Sequence, residues 1–234
     1  MYRKFFKRIL DIICALAAII LLCWLYGIVA LLVRIKLGSP VIFKQPRPGK
    51  DEKIFYLYKF RTMTDERDEN GELLPDDVRL TSFGQKLRNT SLDEIPEAIN
   101  ILKGEMSIVG PRPQLVRDMV FMTPEQRKRH TVLPGLTGLA QINGRNAIRW
   151  DDKLQWDLKY IEDITFAKDV KIVLKTIRKA FIKQEGVSDE DMATAEDYGD
   201  YLLRIGAVSR EEYDEKQEYA KRLINGEDNG QDPV

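Results

Sequence analysis

Hydrophobic and polar positions divide this chain into stretches of different character. From Ile12 to Val33, 22 consecutive residues carry no charge. That run is long enough for a hydrocarbon core about 30 Å thick. It is too long for a signal-peptide core, and no small-x-small cleavage site follows it. Residues 41–62 read as extended chain, with Ile54, Tyr56, Tyr58 and Phe60 alternating with Phe55, Leu57, Lys59 and Arg61. Residues 64–78 read as a polar loop, residues 79–89 as a short basic helix, and residues 91–103 as a helix stopped by Gly104. Two prolines make Gly110-Pro111-Arg112-Pro113 a rigid turn. Thr123-Pro124-Glu125-Gln126 has the signature of a helix start. Residues 134–138 read as a loop and 139–142 as a short strand. Residues 150–161 and 166–183 read as helices, as do 195–205 and 210–224. The last of these opens on a capping box from Ser209 to Glu212.

The apolar run has basic residues on both sides: Arg3, Lys4, Lys7 and Arg8 before it, Arg34, Lys36, Lys44 and Arg47 after it. A spanning helix normally carries such residues on its cytoplasmic side. Two readings stand. The segment is a plain single-span anchor, or it dips in and returns to one face, with a bend near Trp24–Gly27. The helix from Phe166 gathers Phe166, Val170, Val173, Leu174, Ile177 and Phe181 on one stripe and spreads lysines around it. Such a helix lies in a membrane interface or packs on a core.

Charge sharpens the division. Residues 185–234 hold 15 acidic and 5 basic side chains, which leaves 32 basic and 22 acidic ones before them, although the net charge is zero. A basic body suits anionic partners, and the acidic end reads as a solvated tail. Asp189-Glu190-Asp191, a D-x-D pattern, falls in that tail and reads as solvated. The two cysteines, Cys14 and Cys23, both lie in the apolar run, so the rest carries no disulfide framework and no thiolate zinc site. The single histidine, His130, reads as a structural hydrogen-bonding group.

Candidate chemistry centres on Asp93 and Glu94. Ser91 and Glu94 match a capping box, and Asp93 then only complements a helix dipole. The functional alternative is a carboxylate kept ionised at a helix start, able to attack phosphorus. Its neighbour would hold Mg²⁺, which takes hard oxygen ligands. Arg112, Lys59 and Arg88 are candidates for clamping phosphate oxygens. Taken singly, each reads first as a solvated surface group.

These residues sit in a series of motifs: Lys59-Phe60-Arg61-Thr62-Met63, Arg88 with Ser91-Leu92-Asp93-Glu94-Ile95-Pro96, Leu102-Lys103-Gly104-Glu105-Met106-Ser107, Gly110-Pro111-Arg112-Pro113, Pro134-Gly135-Leu136-Thr137-Gly138 and Gln141-Ile142-Asn143-Gly144-Arg145. In this order they resemble the bacterial sugar transferases, the monotopic phosphoglycosyl transferases, over about residues 1–190. The loop from Asp65 to Leu74 resembles the small single-domain members, such as those serving bacterial protein glycosylation with phospho-bacillosamine. The resemblance implies transfer of a sugar-1-phosphate from a UDP-sugar to polyprenyl (undecaprenyl) phosphate at the cytoplasmic face of the inner membrane. It implies Asp93 as nucleophile, Glu94 as helper and Mg²⁺ ligand, Lys59, Arg88 and Arg112 at phosphate-facing positions, and Asp157 as a further functional acid. It also implies a re-entrant helix. Here Cys23-Trp24 stands where the family has a Ser-Pro break.

The expected fold is therefore α+β and mostly helical. A membrane-inserted helix occupies 1–40. A compact helical catalytic domain with a small β element and interfacial amphipathic helices occupies 41–184, and an acidic helical tail occupies 185–234. The expected partners are UDP-sugar, polyprenyl phosphate and membrane lipid, with no nucleic acid. A non-catalytic membrane tether and a direct, UDP-releasing glycosyltransferase are the alternatives.

Overall fold

The structure is a computed structural model, and it describes residues 1–144, 149–181 and 196–227. The Asp189-Glu190-Asp191 pattern lies outside the described residues. In chain order the elements are α1 (Lys7–Leu37), β1 (Ile42–Pro48), β2 (Ile54–Phe60), α2 (Asp76–Arg79), α3 (Ser82–Asn89), α4 (Glu97–Lys103), β3 (Ser107–Val109), α5 (Val116–Met119), α6 (Pro124–Arg127), β4 (Gly135–Thr137), α7 (Leu139–Asn143), α8 (Trp150–Glu162), α9 (Phe166–Phe181), α10 (Tyr198–Arg204) and α11 (Arg210–Asn225). The fold is α+β and mostly helical. Its described sheets are two pairs, β1 with β2 and β3 with β4. Contacts divide the chain into two compact units. The first holds Met1–Gln45, Leu57–Gly104 and the end of α9; the second holds Pro46–Tyr56, Glu105–Val173 and the chain from Glu196.

In the first unit α1 runs unbroken through Cys23-Trp24 and Gly27, so neither place interrupts its backbone ladder. Without proline every residue there keeps its amide bond. The buried positions Asp11, Ala15, Val29, Val33 and Leu37 lie four or fourteen residues apart, close to whole helical turns, giving one stripe along the helix. At the far end that stripe joins Phe60 and Leu87, with Phe83, Leu92 and Ile95 around them. At the near end Arg8 donates to the Ile101 and Leu102 carbonyls at 2.6 and 3.0 Å, capping the end of α4. The outer face is apolar and exposed, with Ile13, Ile20, Leu21, Trp24, Leu31 and Ile35.

The basic helix expected over 79–89 is two helices. Arg79 ends α2, and an extended Thr81 caps α3 by accepting from the Gly84 amide at 3.1 Å. The expected loop over 64–78 is tied by antiparallel bridges, Met63 to Leu80 and Arg67 to Leu73. Asp68 accepts from the Asn70 and Glu72 amides at 2.9 and 2.8 Å, closing the tip.

In the second unit β3 and β4 pair in parallel, Ser107 with Gly135 and Val109 with Thr137. The strand is thus Gly135–Thr137, and the residues expected as a strand over 139–142 form α7 instead. Gly135 is required here, because a Cβ on it would lie 2.0 Å from the Gly110 amide nitrogen. The capping box at Thr123 forms as expected, with Gln126 returning a bond to the Thr123 amide. The core gathers Val116, Met119, Phe121, Trp150 and Leu154 with Tyr198, Tyr219 and Ala220. The C-terminal helices are therefore part of this core and not a solvated appendage. Tyr198 and Tyr219 are buried in it, and Tyr201 and Tyr213 pack against it. The backbone joins in as well: Trp150 Nε1 donates to the Glu196 carbonyl at 3.0 Å, and the Tyr198 amide donates to Asp118 at 2.9 Å.

Candidate active site

The first unit assembles its charged cluster from two directions. Strand β2 brings Lys59, and the stretch between α3 and α4 brings Asp93, Glu94 and Glu97. Asn100, fully buried on α4, fixes their relation by accepting from the Tyr58 amide at 3.0 Å. The neighbouring Lys59 then points at the acids. Its ammonium nitrogen lies 2.8 Å from Glu94, 3.3 Å from Glu97 and 4.0 Å from Asp93.

The single helix expected over 91–103 is interrupted. Ser91 adopts the left-handed region at φ 55°, and its side chain caps nothing, so the expected capping box does not form. Leu92–Glu94 make one tight 3-10 turn, and α4 starts only after Pro96, which has no amide hydrogen to give. A non-glycine residue in that region costs about 1–2 kcal/mol. The consequence is geometric: Asp93 sits on its own turn ahead of α4. Two cationic side chains, Lys59 and Arg88, are in electrostatic reach of it. The Asp93 side chain is about 10% exposed, so it retains an opening to solvent.

Arg88, the last full turn of α3, is the second cation. Burial pushes its pKa down, and the Asp93 charge is the strongest influence opposing that shift. A guanidinium remains protonated under such a push. Its Nε donates to Thr62 Oγ1 at 3.1 Å. Helix α3 reaches this place because Gly84 has no side chain; a Cβ there would come within 1.7 Å of the Thr62 carbonyl oxygen.

Asp93, Glu94, Lys59 and Arg88 thus come together in the first unit. Arg112 and Asp157 belong to the second. There Arg129, which sequence reasoning passed over beside His130, links them. Its Nε and Nη2 donate to Asp157 Oδ2 at 3.0 and 2.6 Å, and Nη2 also donates to the Arg112 carbonyl at 2.6 Å. Asp157 is 1% exposed. Burial pushes its carboxyl pKa up and the Arg129 charge opposes this. Arg47 holds the next carbonyl of the turn, that of Pro113, at 3.0 Å. Lys153 is depressed by burial, with Asp118 opposing and Arg112 adding to the depression, so Lys153 and the Arg112 guanidinium are close enough to repel. Glu97, Arg129 and Lys153 are the participants that the motifs did not single out. The signal for Glu97 was its spacing, one helical turn after Asp93.

Among the described residues no group of three or more His, Cys, Asp or Glu side chains is arranged to hold a metal ion. Asp93 and Glu94 nonetheless offer the hard carboxylate oxygens that Mg²⁺ takes. Mg²⁺ commonly fills its other positions with water and substrate phosphate. The donor set fits an ion that arrives with a diphosphate.

Comparison with known proteins agrees with these motifs. The family described as "Bacterial sugar transferase" matches residues 2–183. "Uncharacterized sugar transferase EpsL" of Bacillus subtilis (strain 168) is 50% identical over 193 residues, covering 81% of this chain and 94% of that protein. "UDP-glucose:undecaprenyl-phosphate glucose-1-phosphate transferase" of Klebsiella pneumoniae is 38% identical over 189 residues, covering 76% of this chain but 41% of that protein. "UDP-N-acetylgalactosamine-undecaprenyl-phosphate N-acetylgalactosaminephosphotransferase" of Aeromonas hydrophila is 38% identical over 182 residues, 74% of this chain and 43% of that protein. The chain thus spans less than half the length of these last two relatives. With a family match over most of its length and a half-identical relative of nearly the same extent, the chain belongs to the bacterial sugar transferase family.

Proposed function

We propose that this protein transfers a sugar-1-phosphate from a UDP-sugar to polyprenyl phosphate, releasing UMP, with Asp93 as covalent carrier. The observation that carries the reading is the Asp93–Glu94–Lys59 cluster with Arg88 beside it, in a member of this family. The names of the relatives, which include undecaprenyl-phosphate sugar phosphotransferases, support the substrate class.

In the first step an Asp93 carboxylate oxygen attacks the phosphorus that bears the sugar. A P–O bond to Asp93 forms, the anhydride P–O bond breaks, and UMP leaves with the electron pair. In the second step a phosphate oxygen of the polyprenyl phosphate attacks the same phosphorus. The new diphosphate forms and Asp93 departs as a carboxylate. Lys59 and Arg88 balance the negative charge that gathers during both steps. Glu94 would hold Mg²⁺, whose charge neutralises the diphosphate when bound. Arg112 contacts phosphate, and Asp157 acts on it through Arg129.

The division of labour follows the chain: residues 1–40 insert in the membrane, residues 41–184 carry the chemistry, and the tail after them completes the fold. The helix Tyr2–Leu37 is long and apolar enough to cross a membrane and is mostly uncovered. Both its ends contact the same unit, at Arg8 and at Val33. This favours insertion in which both ends stay on one face, the cytoplasmic one, where UDP-sugars are made. The exposed stripe Phe166, Val170, Leu174 and Ile177 of α9 suits the membrane interface.

Incubation of the full chain with UDP-glucose, UDP-galactose and UDP-N-acetylgalactosamine in turn, without lipid acceptor, tests the chemistry. One of them should yield UMP and a mass gain on the Asp93 peptide, both absent in Asp93→Asn. Release of UDP would instead indicate a direct glycosyltransferase, and lipid binding without turnover a tether. Single reporter cysteines at Tyr2 and beyond Gly49, in a Cys14→Ser/Cys23→Ser background, should label from the same face of sealed vesicles. Labelling from opposite faces would rule out the proposed topology.

A further inference from the structure

We propose that Glu97 is a positioning residue that holds Lys59 back from the nucleophile Asp93. The proposal rests on the reading of Asp93 given above.

Glu97 is an unusual residue to find at its site. It opens α4, yet it is 2% exposed. Burial of a carboxylate is costly unless a cation and hydrogen bonds compensate. It forms an ion pair with Lys59, at 3.3 Å. An ammonium offers three donors, and the three acids surrounding Lys59 differ in how closely they take it. Glu94 is nearest, Glu97 next, and Asp93 farthest at 4.0 Å.

That order has a chemical meaning. A carboxylate that attacks phosphorus must present a lone pair, and a short contact with an ammonium would occupy that lone pair and lower its nucleophilicity. The same ammonium, a little farther off, still draws in the phosphate. Glu94 and Glu97 hold Lys59 at 2.8 and 3.3 Å, and the Asn100–Tyr58 bond fixes the neighbouring position of its strand. Glu97 therefore touches neither substrate nor reacting atom in this account. It acts through Lys59, and it does so with its charge more than with its shape.

The isosteric Glu97→Gln keeps the volume and removes the charge. Lys59 then moves toward Asp93. UMP release with polyprenyl phosphate as acceptor, measured on the full chain in detergent with the UDP-sugar that the wild type turns over, should show kcat lower by about 10- to 100-fold, the loss typical of a misplaced catalytic group. KM should change far less than kcat, because Glu97 itself does not bind substrate. In a Lys59→Met background the same Glu97→Gln change should cost nothing further, the mark of one residue acting through another. Glu97→Asp, which keeps the charge, should recover part of the rate and also covers the case in which Glu97→Gln folds poorly. Wild-type kcat in Glu97→Gln, a loss confined to KM, an undiminished loss in the Lys59→Met background, or Glu97→Asp no better than Glu97→Gln would each overturn the proposal. Wild-type protein that releases no UMP from any UDP-sugar would instead defeat the underlying reading of Asp93.

Discussion

Arg129 grips Asp157 through one oxygen only. Both its Nε and its Nη2 converge on Oδ2, while Oδ1 is buried with no hydrogen-bond partner among the described residues. The same Nη2 reaches the Arg112 carbonyl, so the pair fixes the backbone of the Gly110–Pro113 turn. Removing one member of a buried ion pair strands the other charge and typically costs about 3–5 kcal/mol. Asp157→Asn should lower stability by that order, read from the urea midpoint. Where it folds, it should impair activity through Arg112 rather than abolish the covalent adduct on Asp93.

His130 makes stability depend on pH. It is buried, and burial first, then the Arg129 and Arg127 charges, depress its pKa to about 3, while a bond to the Gly49 backbone opposes them. The unfolded chain therefore takes up a proton near pH 6.5 that the folded chain refuses. Stability is fully present above that pH and is lost as pH falls toward about 3, by at most about 1.4 kcal/mol per pH unit. Asp197 acts oppositely, because its pKa is raised to about 6, so the folded chain takes up its proton first and gains stability as pH falls from there. Urea midpoints at pH 7.5, 6.5 and 5.5 should decline in the wild type. His130→Gln, which leaves the chain without histidine, should remove the declining part.

Gly84 sets how closely α3 can approach the strand that ends at Thr62. Gly84→Ala puts a methyl carbon into the Thr62 carbonyl, backbone against backbone, which no rotamer change relieves. Overpacking of this kind costs about 1–3 kcal/mol or more. The melting temperature should fall. Because Arg88 rides on the same helix, UMP release should fall with it even where the variant remains folded.

The C-terminal helices should prove necessary for the fold. Tyr198 is 3% exposed and packs at a tilt against Trp150, with ring centroids 5.1 Å apart. Tyr198→Ala should cost about 3–5 kcal/mol, the range for an aromatic removed from a core. A solvated tail would instead give a change near zero in the same denaturation experiment.

The local elements that were legible in the sequence owe their clarity to local causes. The alternation through Tyr56, Tyr58 and Phe60 gave β2, and Thr123 with Gln126 gave a helix start that forms with both of its bonds. The helices from Trp150 and Phe166 followed from their periodicity. Misreadings cluster where distant chain overrides local preference. Residues 139–142 read as a strand, but the parallel partner of β3 is Gly135–Thr137, because glycine permits the close approach of Gly110. Ser91 looked like a cap and is instead a left-handed hinge between two turns. The net charge of the tail points to solvation, whereas its packing depends on a few tyrosines.

By itself the amino-acid sequence determined the family, the long apolar helix, the acid pair Asp93-Glu94 and the cations that accompany it, since each of these is written in neighbouring residues or in fixed motifs. Only the tertiary structure decided which acid Lys59 leans toward, that Glu97 shares it, and that Arg129 joins Asp157 to Arg112. The reason is physical. Electrostatic energy depends on distance and burial, and residues 17 to 38 positions apart acquire both only when strands and helices close around them.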